Sequence, residues 1–453
     1  MFTRKAYGKL LDWKKKGGKT AMLIEGARRV GKTTISQEFA RREYESHLYI
    51  DFSLPQPDVR RLFAEQIANV PAFLNQLQII TGTRLRERES LIVFDEVQGF
   101  PEARQAIKHL VADGRFDYLE TGSLISIRRN VRNILIPSEE EHMDLNPMSF
   151  EEWLWATDAS GLLADAIAEA ARTRNPLPDP IHRLAMRSFR EYLLVGGMPQ
   201  AVEAFGAEKD FFAADEVKRQ ILEVYRADMF KYGGTDSAKV AAMFDAIPGQ
   251  LARHEKRFVL ASLGSNARYR DYADAVFWLG DSRIANVCRK ASDPSVGFGL
   301  SAMENDFKCY MADTGLLVTE AFADRDVTQN PTYKAILSEQ LSINEGMLVE
   351  NYVAQQIRAS GDKLYYYSQY GGKDSTQTME IDFLLVREFD NAAFKPRVSP
   401  VEVKSTSRYS TRSLEKFKAK YGKRVGTQYV LHPRQMSVEG ERVRMPLYCA
   451  HLL

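Results

Sequence analysis

The chain has 453 residues, of which 44% are hydrophobic and 27% charged, and its formal net charge is +2. Those values are ordinary for a soluble globular protein of two or three domains, and so balanced a charge names no partner; any nucleic-acid surface has to be local. The three cysteines are scattered without ligand-like spacing, which argues against a disulfide framework and against a zinc site. No apolar run is long enough to span a bilayer, and the first residues lack the apolar core of a signal peptide. A cytoplasmic protein with no membrane partner is expected.

In chain order, residues 20–33 read TAMLIEGARRVGKT. An apolar strand ends in Gly26, and Gly26 to Thr33 fits G-x-x-x-x-G-K-[ST]. The glycines allow close backbone approach and positive φ, so that successive N–H groups from Gly26, Ala27, Arg28, Arg29, Val30, Gly31, Lys32, Thr33 and Thr34 can face phosphate oxygens. Lys32 is expected to reach the β- and γ-phosphates of ATP, and Thr33 to offer its hydroxyl to Mg²⁺. A helix opening at Lys32 (KTTISQEFARRE) adds its positive dipole end beneath the same phosphates.

Short apolar runs then alternate with helical patterns, predicting a parallel α/β sheet. The expected strands are 47–52, 90–98, 116–123 and 141–150. In SLIVFDEVQ, Asp95 ends a buried strand and is the expected Mg²⁺ carboxylate, while Glu96 is the expected general base. The following strand ends in Thr121, Gly122 and Ser123. In ATPases with an extra strand between the two Walker strands, a polar residue there senses the γ-phosphate, so Thr121 and Ser123 are candidates. Arg28, Arg29, Arg128 and Arg129 are candidate arginine fingers.

GARRVGKTT, FDEVQ, TGS and PMSFEEWL occur in that order, followed by REYLLVGGMPQAV, VYRADMFKY, FKCYMADTGLL and EGMLVENYVA. This succession resembles the large prokaryotic family of AAA-like ATPases that carry a C-terminal domain of unknown function, relatives of the archaeal-type ATPases. The resemblance covers nearly the whole chain. It implies an AAA-like P-loop core over 1–155, a helical lid over 156–235, a winged-helix-like region over 236–320 and a nuclease-like α/β domain over 335–453.

Residues 151–174 read as one Ala-rich helix, broken by NPLPDP before a second helix that stops at Gly196-Gly197. Arg190, Arg226 and Lys231 are candidates to reach phosphates from this lid. The Gly-Gly pair reads better as a packing or hinge feature than as a phosphate cradle. Residues 255–320 suit a helix-turn-helix with a wing, and ARYRDYADAVFWL, with Arg268 and Arg270 at its basic start, is the expected recognition helix for DNA.

A second acidic constellation closes the chain. TMEIDFLLV places Asp382 on an apolar strand, and SPVEVKST puts Glu402 and Lys404 on one face of another. Asp…Glu-x-Lys resembles the PD-(D/E)xK nuclease signature, with Ile381 where the signature has Pro. In that reading Asp382 and Glu402 bind Mg²⁺, Lys404 positions a water or stabilises developing charge, and Glu350 assists from a helix. The basic stretch RSLEKFKAKYGKRVG would track a phosphate backbone. The expectation is an ATP-hydrolysing protein with ATP, Mg²⁺ and DNA as its ligands, self-association left open. Its competitor is a nucleotide-switched interaction protein with a non-catalytic C-terminal domain.

Overall fold

The computed structural model describes residues 1–123, 137–158, 160–253, 256–294, 297–323, 345–371, 377–390 and 395–453, with the side chains of 232, 388–390, 395 and 396 left out. The chain divides into two compact units. The first is Met1–Asn146 with Asp281–Arg283, and the second is Pro147–Gly280 with Ile284–Leu453.

Five strands form the sheet of the first unit: β1 Ala21–Glu25, β2 Ser46–Asp51, β3 Ser90–Asp95, β4 Asp117–Gly122 and β5 Glu140–Asp144. They pair in the order β2-β3-β4-β1-β5, every pair parallel. Every residue of β1, β3 and β4 is buried, as expected for central strands covered on both faces. One layer of apolar side chains comes from the helices Pro57–Gln66, Val70–Thr81 and Pro101–Asp113. The other comes from the helices Lys5–Lys14 and Lys32–Glu43, through residues such as Trp13 and Phe39. β4 lies between β1, which leads into Gly26, and β3, which ends in Asp95, and this is the extra-strand arrangement expected.

The fifth strand is shorter than its apolar run suggested. Pro147 cannot donate to a ladder, and Ser149 instead starts the helix Phe150–Thr157. Ser149 and Glu152 cap that helix reciprocally, Ser149 Oγ accepting from Glu152 N at 3.3 Å and Glu152 Oε2 from Ser149 N at 2.8 Å. The long Ala-rich helix is in fact two, Phe150–Thr157 and Leu162–Thr173, parted at Gly161, whose φ is 67°.

Apart from Asp281–Arg283, which belong to the first unit, the described residues of the expected lid, winged-helix region and C-terminal domain fall in the second unit. It holds two sheets. The first joins β6 Ala285–Ala291, β7 Ala302–Met311, β8 Tyr365–Gln369 and β9 Met379–Ile381 in the order β7-β6-β8-β9. The second joins β10 Phe383–Asp390, β11 Lys395–Val403, β12 Gln428–His432, β13 Ser437–Glu439 and β14 Arg442–Pro446 in the order β10-β11-β12-β14-β13. The β6–β7 hairpin, read from sequence as a wing after the helix Tyr269–Asp281, also pairs through β6 with β8 in parallel. It is therefore half of a mixed sheet completed from the C-terminal segment.

Three of the resemblance motifs meet in the interior of this unit. Gly197 N donates to the buried carboxylate of Asp313 at 2.6 Å, and its carbonyl accepts from Met148 N at 2.7 Å. A Cβ on Gly196 would lie 2.1 Å from Asp313 Oδ1, and one on Gly197 would lie 2.1 Å from the Met148 carbonyl oxygen. The Gly-Gly pair is thus required by close packing. Asp313, whose carboxyl burial pushes up, also accepts from Leu316 N at 3.0 Å and from Gln355 Nε2 at 3.0 Å. Gln355 and Gln356 lie on the helix Glu345–Ala359, and Gln356 Oε1 accepts from Phe150 N at 2.9 Å. That helix is buried on all its faces from Met347 to Ile357, which makes it the central pillar of the unit.

Candidate functional site

The P-loop is built by two backbone devices. Arg29 and Gly31 both take positive φ, 66° and 99°, and reverse the chain between β1 and the helix Lys32–Glu43. Gly26 is needed for a different reason: a Cβ there would lie 2.4 Å from the Leu145 carbonyl oxygen. Ala27 and Val30 are buried, Arg28 is half-buried, and Arg29 is exposed. Arg4, a residue without a motif, braces the loop from the N-terminal segment. Its guanidinium donates to the Val30 carbonyl at 3.2 Å and to the Asn146 carbonyl at 2.6 Å.

Lys32 is buried, and its ammonium is accepted by the carbonyls of Gly26 at 2.9 Å and Ala27 at 3.0 Å. The charge is thereby held inside the curl of the loop. Thr34 is exposed at the first turn of the helix. Thr33 Oγ1 donates to Asp95 Oδ2 at 2.9 Å, so the hydroxyl and the carboxylate are already side by side. Hard oxygen donors so arranged fit a divalent cation such as Mg²⁺. Asp95 is buried and receives two further hydroxyls, from Tyr49 and Thr121. Thr121 is consequently committed to Asp95, and its oxygen also accepts from Glu96 N at 3.3 Å. Ser123 is half-buried at the end of this strand. Glu96 itself has a φ of 54°, and its carboxylate accepts from the Gln98 amide. A left-handed glutamate next to Asp95 is strained backbone.

The second constellation converges, but with partners that the sequence did not show. Glu350, buried on the helix Glu345–Ala359, accepts from Lys308 Nζ at 3.1 Å and also from Tyr310 and Lys256. Lys308 is 1% exposed and lies 2.7 Å from Glu380 Oε1 and 3.8 Å from Asp382 Oδ1. Asp382 sits at the break between β9 and β10, where its Oδ2 accepts from Val403 N at 2.8 Å. Glu402, also buried, pairs with Lys404 at 2.8 Å. The charges tune one another. Burial would raise Glu350, but Lys256 and Lys308 hold it down to about 2, whereas burial and the Glu350 charge push Asp382 up to about 7. Lys404, which burial would lower, is raised by Glu402 and Asp382.

The expected Mg²⁺ ligands Asp382, Glu402 and Glu350 each lie beside a lysine ammonium. Lys256 and Lys308 offset the charge of Glu350, which also accepts from the neutral Tyr310 hydroxyl, and among the described residues no group of three or more His, Cys, Asp or Glu side chains is placed to hold a metal. The basic stretch is likewise committed in part. Lys416 donates to the Thr378 carbonyl at 2.9 Å, Lys418 pairs with Glu441 at 2.5 Å, and Lys420 donates to Gln369 at 2.6 Å.

The remaining candidates are dispersed. Arg226 pairs with Glu320 at 2.5 Å and with Asp245 at 3.2 Å. Arg190 and Lys231 belong to the same second unit, and Arg268 and Arg270 are exposed at the start of the helix Tyr269–Asp281. Arg128 and Arg129 lie outside the described residues. No described helix is long and apolar enough to cross a membrane.

Residues 18–154 match an AAA domain. Two further stretches match domains of unknown function, 186–326 (DUF8612) and 345–450 (DUF4143). The AAA match spans the parallel sheet, the P-loop and the Asp95–Glu96 pair, and it supports nucleotide binding by this unit. No curated protein matches the chain. Among solved structures, a Walker-type ATPase of Pyrococcus abyssi is 14% identical, with 71% of this chain and 96% of that one covered and a TM-score of 0.40. A signal-transduction ATPase with a tetratricopeptide-repeat sensor from Pyrococcus horikoshii is 11% identical, with 78% and 48% covered and a TM-score of 0.26. Cdc6p of Pyrobaculum aerophilum is 12% identical, with 75% and 94% covered and a TM-score of 0.24. Scores this low do not establish a shared fold over the whole chain.

Proposed function

We propose that the chain hydrolyses ATP with Mg²⁺ in its first unit and holds nucleic acid, without cutting it, in its second. The observation that carries the ATPase reading is the continuous run Thr33–Asp95–Thr121–Glu96 directly behind the P-loop lysine. Lys32 and the loop from Gly26 to Thr34 bind and orient the phosphates, Thr33 and Asp95 hold the cation, and Glu96 takes the proton of the attacking water. Mg²⁺, when bound, neutralises phosphate charge. Lys32→Ala removes the ammonium from the loop, and ATP turnover is expected to fall by about a hundredfold or more. Turnover at the unmodified rate would place hydrolysis elsewhere.

Tyr49 is proposed as a positioning residue for Asp95, since it donates to the same oxygen that Thr33 meets. Tyr49→Phe is expected to raise the Mg²⁺ concentration needed for half-maximal turnover about tenfold while leaving the rate at saturating Mg²⁺ nearly intact. A fall in the saturated rate with an unchanged Mg²⁺ requirement would reject that role.

The non-cutting reading of the second unit rests on Lys308. Its ammonium is among Glu350, Glu380 and Asp382, where a metal-dependent nuclease needs free carboxylates.

A further inference from the structure

At one end of the second sheet lies a cleft of about 690 Å³. β11 and β12 run parallel, so the loops that follow them, 404–411 and 433–436, leave the sheet at the same edge. The carboxyl ends of parallel strands are where open α/β sheets receive ligands, because the chain reverses there and leaves a crevice. The nine residues lining this crevice include Arg408, Arg434 and Arg444 and no carboxylate. Arg444 pairs with the exposed Glu439 at 2.7 Å. Arg408 and Arg434 are exposed.

The wall is preorganised. His432, the last residue of β12, is buried and held by two hydrogen bonds, 2.9 Å to Tyr409 Oη and 3.2 Å to the Gln435 carbonyl. Burial, with Arg444, Arg434 and His182 adding positive charge around it, pulls its pKa down to about 4. A neutral imidazole must therefore donate through Nε2 to Gln435 and accept at Nδ1 from the tyrosine hydroxyl. The Tyr409 ring is fixed edge-on to His432, with 5.6 Å between centroids. Gln435 is tied in turn to the Leu177 carbonyl at 2.8 Å and to Asp179 at 3.2 Å. The cleft thus presents guanidinium groups, a locked aromatic ring and the hydroxyls of Ser407 and Ser437.

We infer that this cleft binds the phosphodiester backbone of single-stranded nucleic acid, with Arg408 and Arg434 as the phosphate-binding groups and Tyr409 as a face for a base. Guanidinium groups match phosphate oxygens in pairs, and an aromatic ring beside them suits an unpaired base. The inference rests on the nucleic-acid reading of the second unit and assigns its location to this cleft rather than to the basic helix Arg412–Tyr421 or to Arg268 and Arg270.

The test uses the full chain and a short fluorescein-labelled single-stranded DNA, read by anisotropy in EDTA without ATP. Arg408→Glu with Arg434→Glu is expected to weaken binding about tenfold or more, and to make the salt slope shallower by about 1.4, for two phosphates released. Arg268→Glu with Arg270→Glu is expected to change neither. Urea unfolding of both variants with the midpoint of the unmodified chain reports that the second unit is folded. Equal DNA affinity of the Arg408/Arg434 variant and the unmodified chain would overturn the cleft assignment while leaving nucleic-acid binding in place. Loss of affinity only in the Arg268/Arg270 variant would move the site to that helix. An unmodified chain that binds no DNA but sediments with phosphatidylserine vesicles would overturn this inference and the nucleic-acid reading together.

Discussion

Glu96→Gln is expected to reduce ATP turnover by about 10²–10⁴-fold while ATP still binds. The amide cannot take a proton from water, yet it has the shape of the carboxylate and keeps an oxygen for the Gln98 amide. Thr121 Oγ1 meets the Glu96 backbone N–H, which the substitution does not touch, so the residue stays in place behind Asp95. The loop that grips the phosphates, from Gly26 to Thr34, is unaltered. Single-turnover kinetics with a fluorescent ATP analogue separate the two steps: binding at the unmodified affinity, hydrolysis stalled. A variant that turns over normally would remove Glu96 as the base and direct attention to other polar groups at the carboxyl edge of the sheet.

Lys308→Met is expected to destabilise the folded chain by about 3–5 kcal/mol, because it takes the ammonium from a buried acidic cluster and leaves the acids uncompensated. Lys308 faces Glu350, Glu380 and Asp382, and among the described residues Lys256 and Tyr310 remain on Glu350 afterwards. The pH dependence has a definite sign. Asp382 already has its folded pKa raised to about 7, above the usual aspartate range, so its contribution to stability is full at low pH and is lost as pH rises towards that value. Removing Lys308 raises that pKa further. The deficit of the variant should therefore grow between acidic and mildly alkaline buffer, as read from urea unfolding of the full chain. Adding Asp382→Asn should recover part of the loss at the alkaline end. A Lys308→Met chain as stable as the unmodified one across this range would mean that the ammonium does not hold the cluster together.

The same residues show where reading from sequence stops. The P-loop, Asp95 and Glu96 were legible because their chemistry is carried by short spacings: a strand, a tight turn, a helix, then a carboxylate at a strand end. Even there, the reason for Gly26 was hidden. It is not positive φ but the Leu145 carbonyl, which the chain reaches only through β5. Thr121 was placed correctly at the end of β4, but its hydroxyl went to Asp95, because β3 and β4 are neighbours in the sheet. Arg4 and Tyr49 carry no motif, and both act on residues far along the chain.

In the second unit the sequence supplied the residues and the fold supplied their meaning. Spacing placed Glu402 and Lys404 on one face, and the strand containing Glu402 is there. Spacing could not show that β7 of an earlier segment delivers Lys308 and Tyr310 to Glu350, or that Lys256 joins them. A charged residue's role depends on which opposite charge reaches it, and for Glu350, Glu380 and Asp382 the partners Lys256, Lys308 and Tyr310 lie dozens of residues away. The Gly196-Gly197 and Asp313 motifs tell the same story, since only their mutual approach explains either. By itself, then, the sequence determined the nucleotide-binding loop, its acidic partners and the alternation of strands and helices, because these depend on local backbone geometry and burial period. Only the tertiary structure decided which distant lysines reach Glu350 and Asp382, and that Arg408, Arg434 and Arg444 line one cleft. Electrostatics acts through space, and the chain's order along the sequence does not record it.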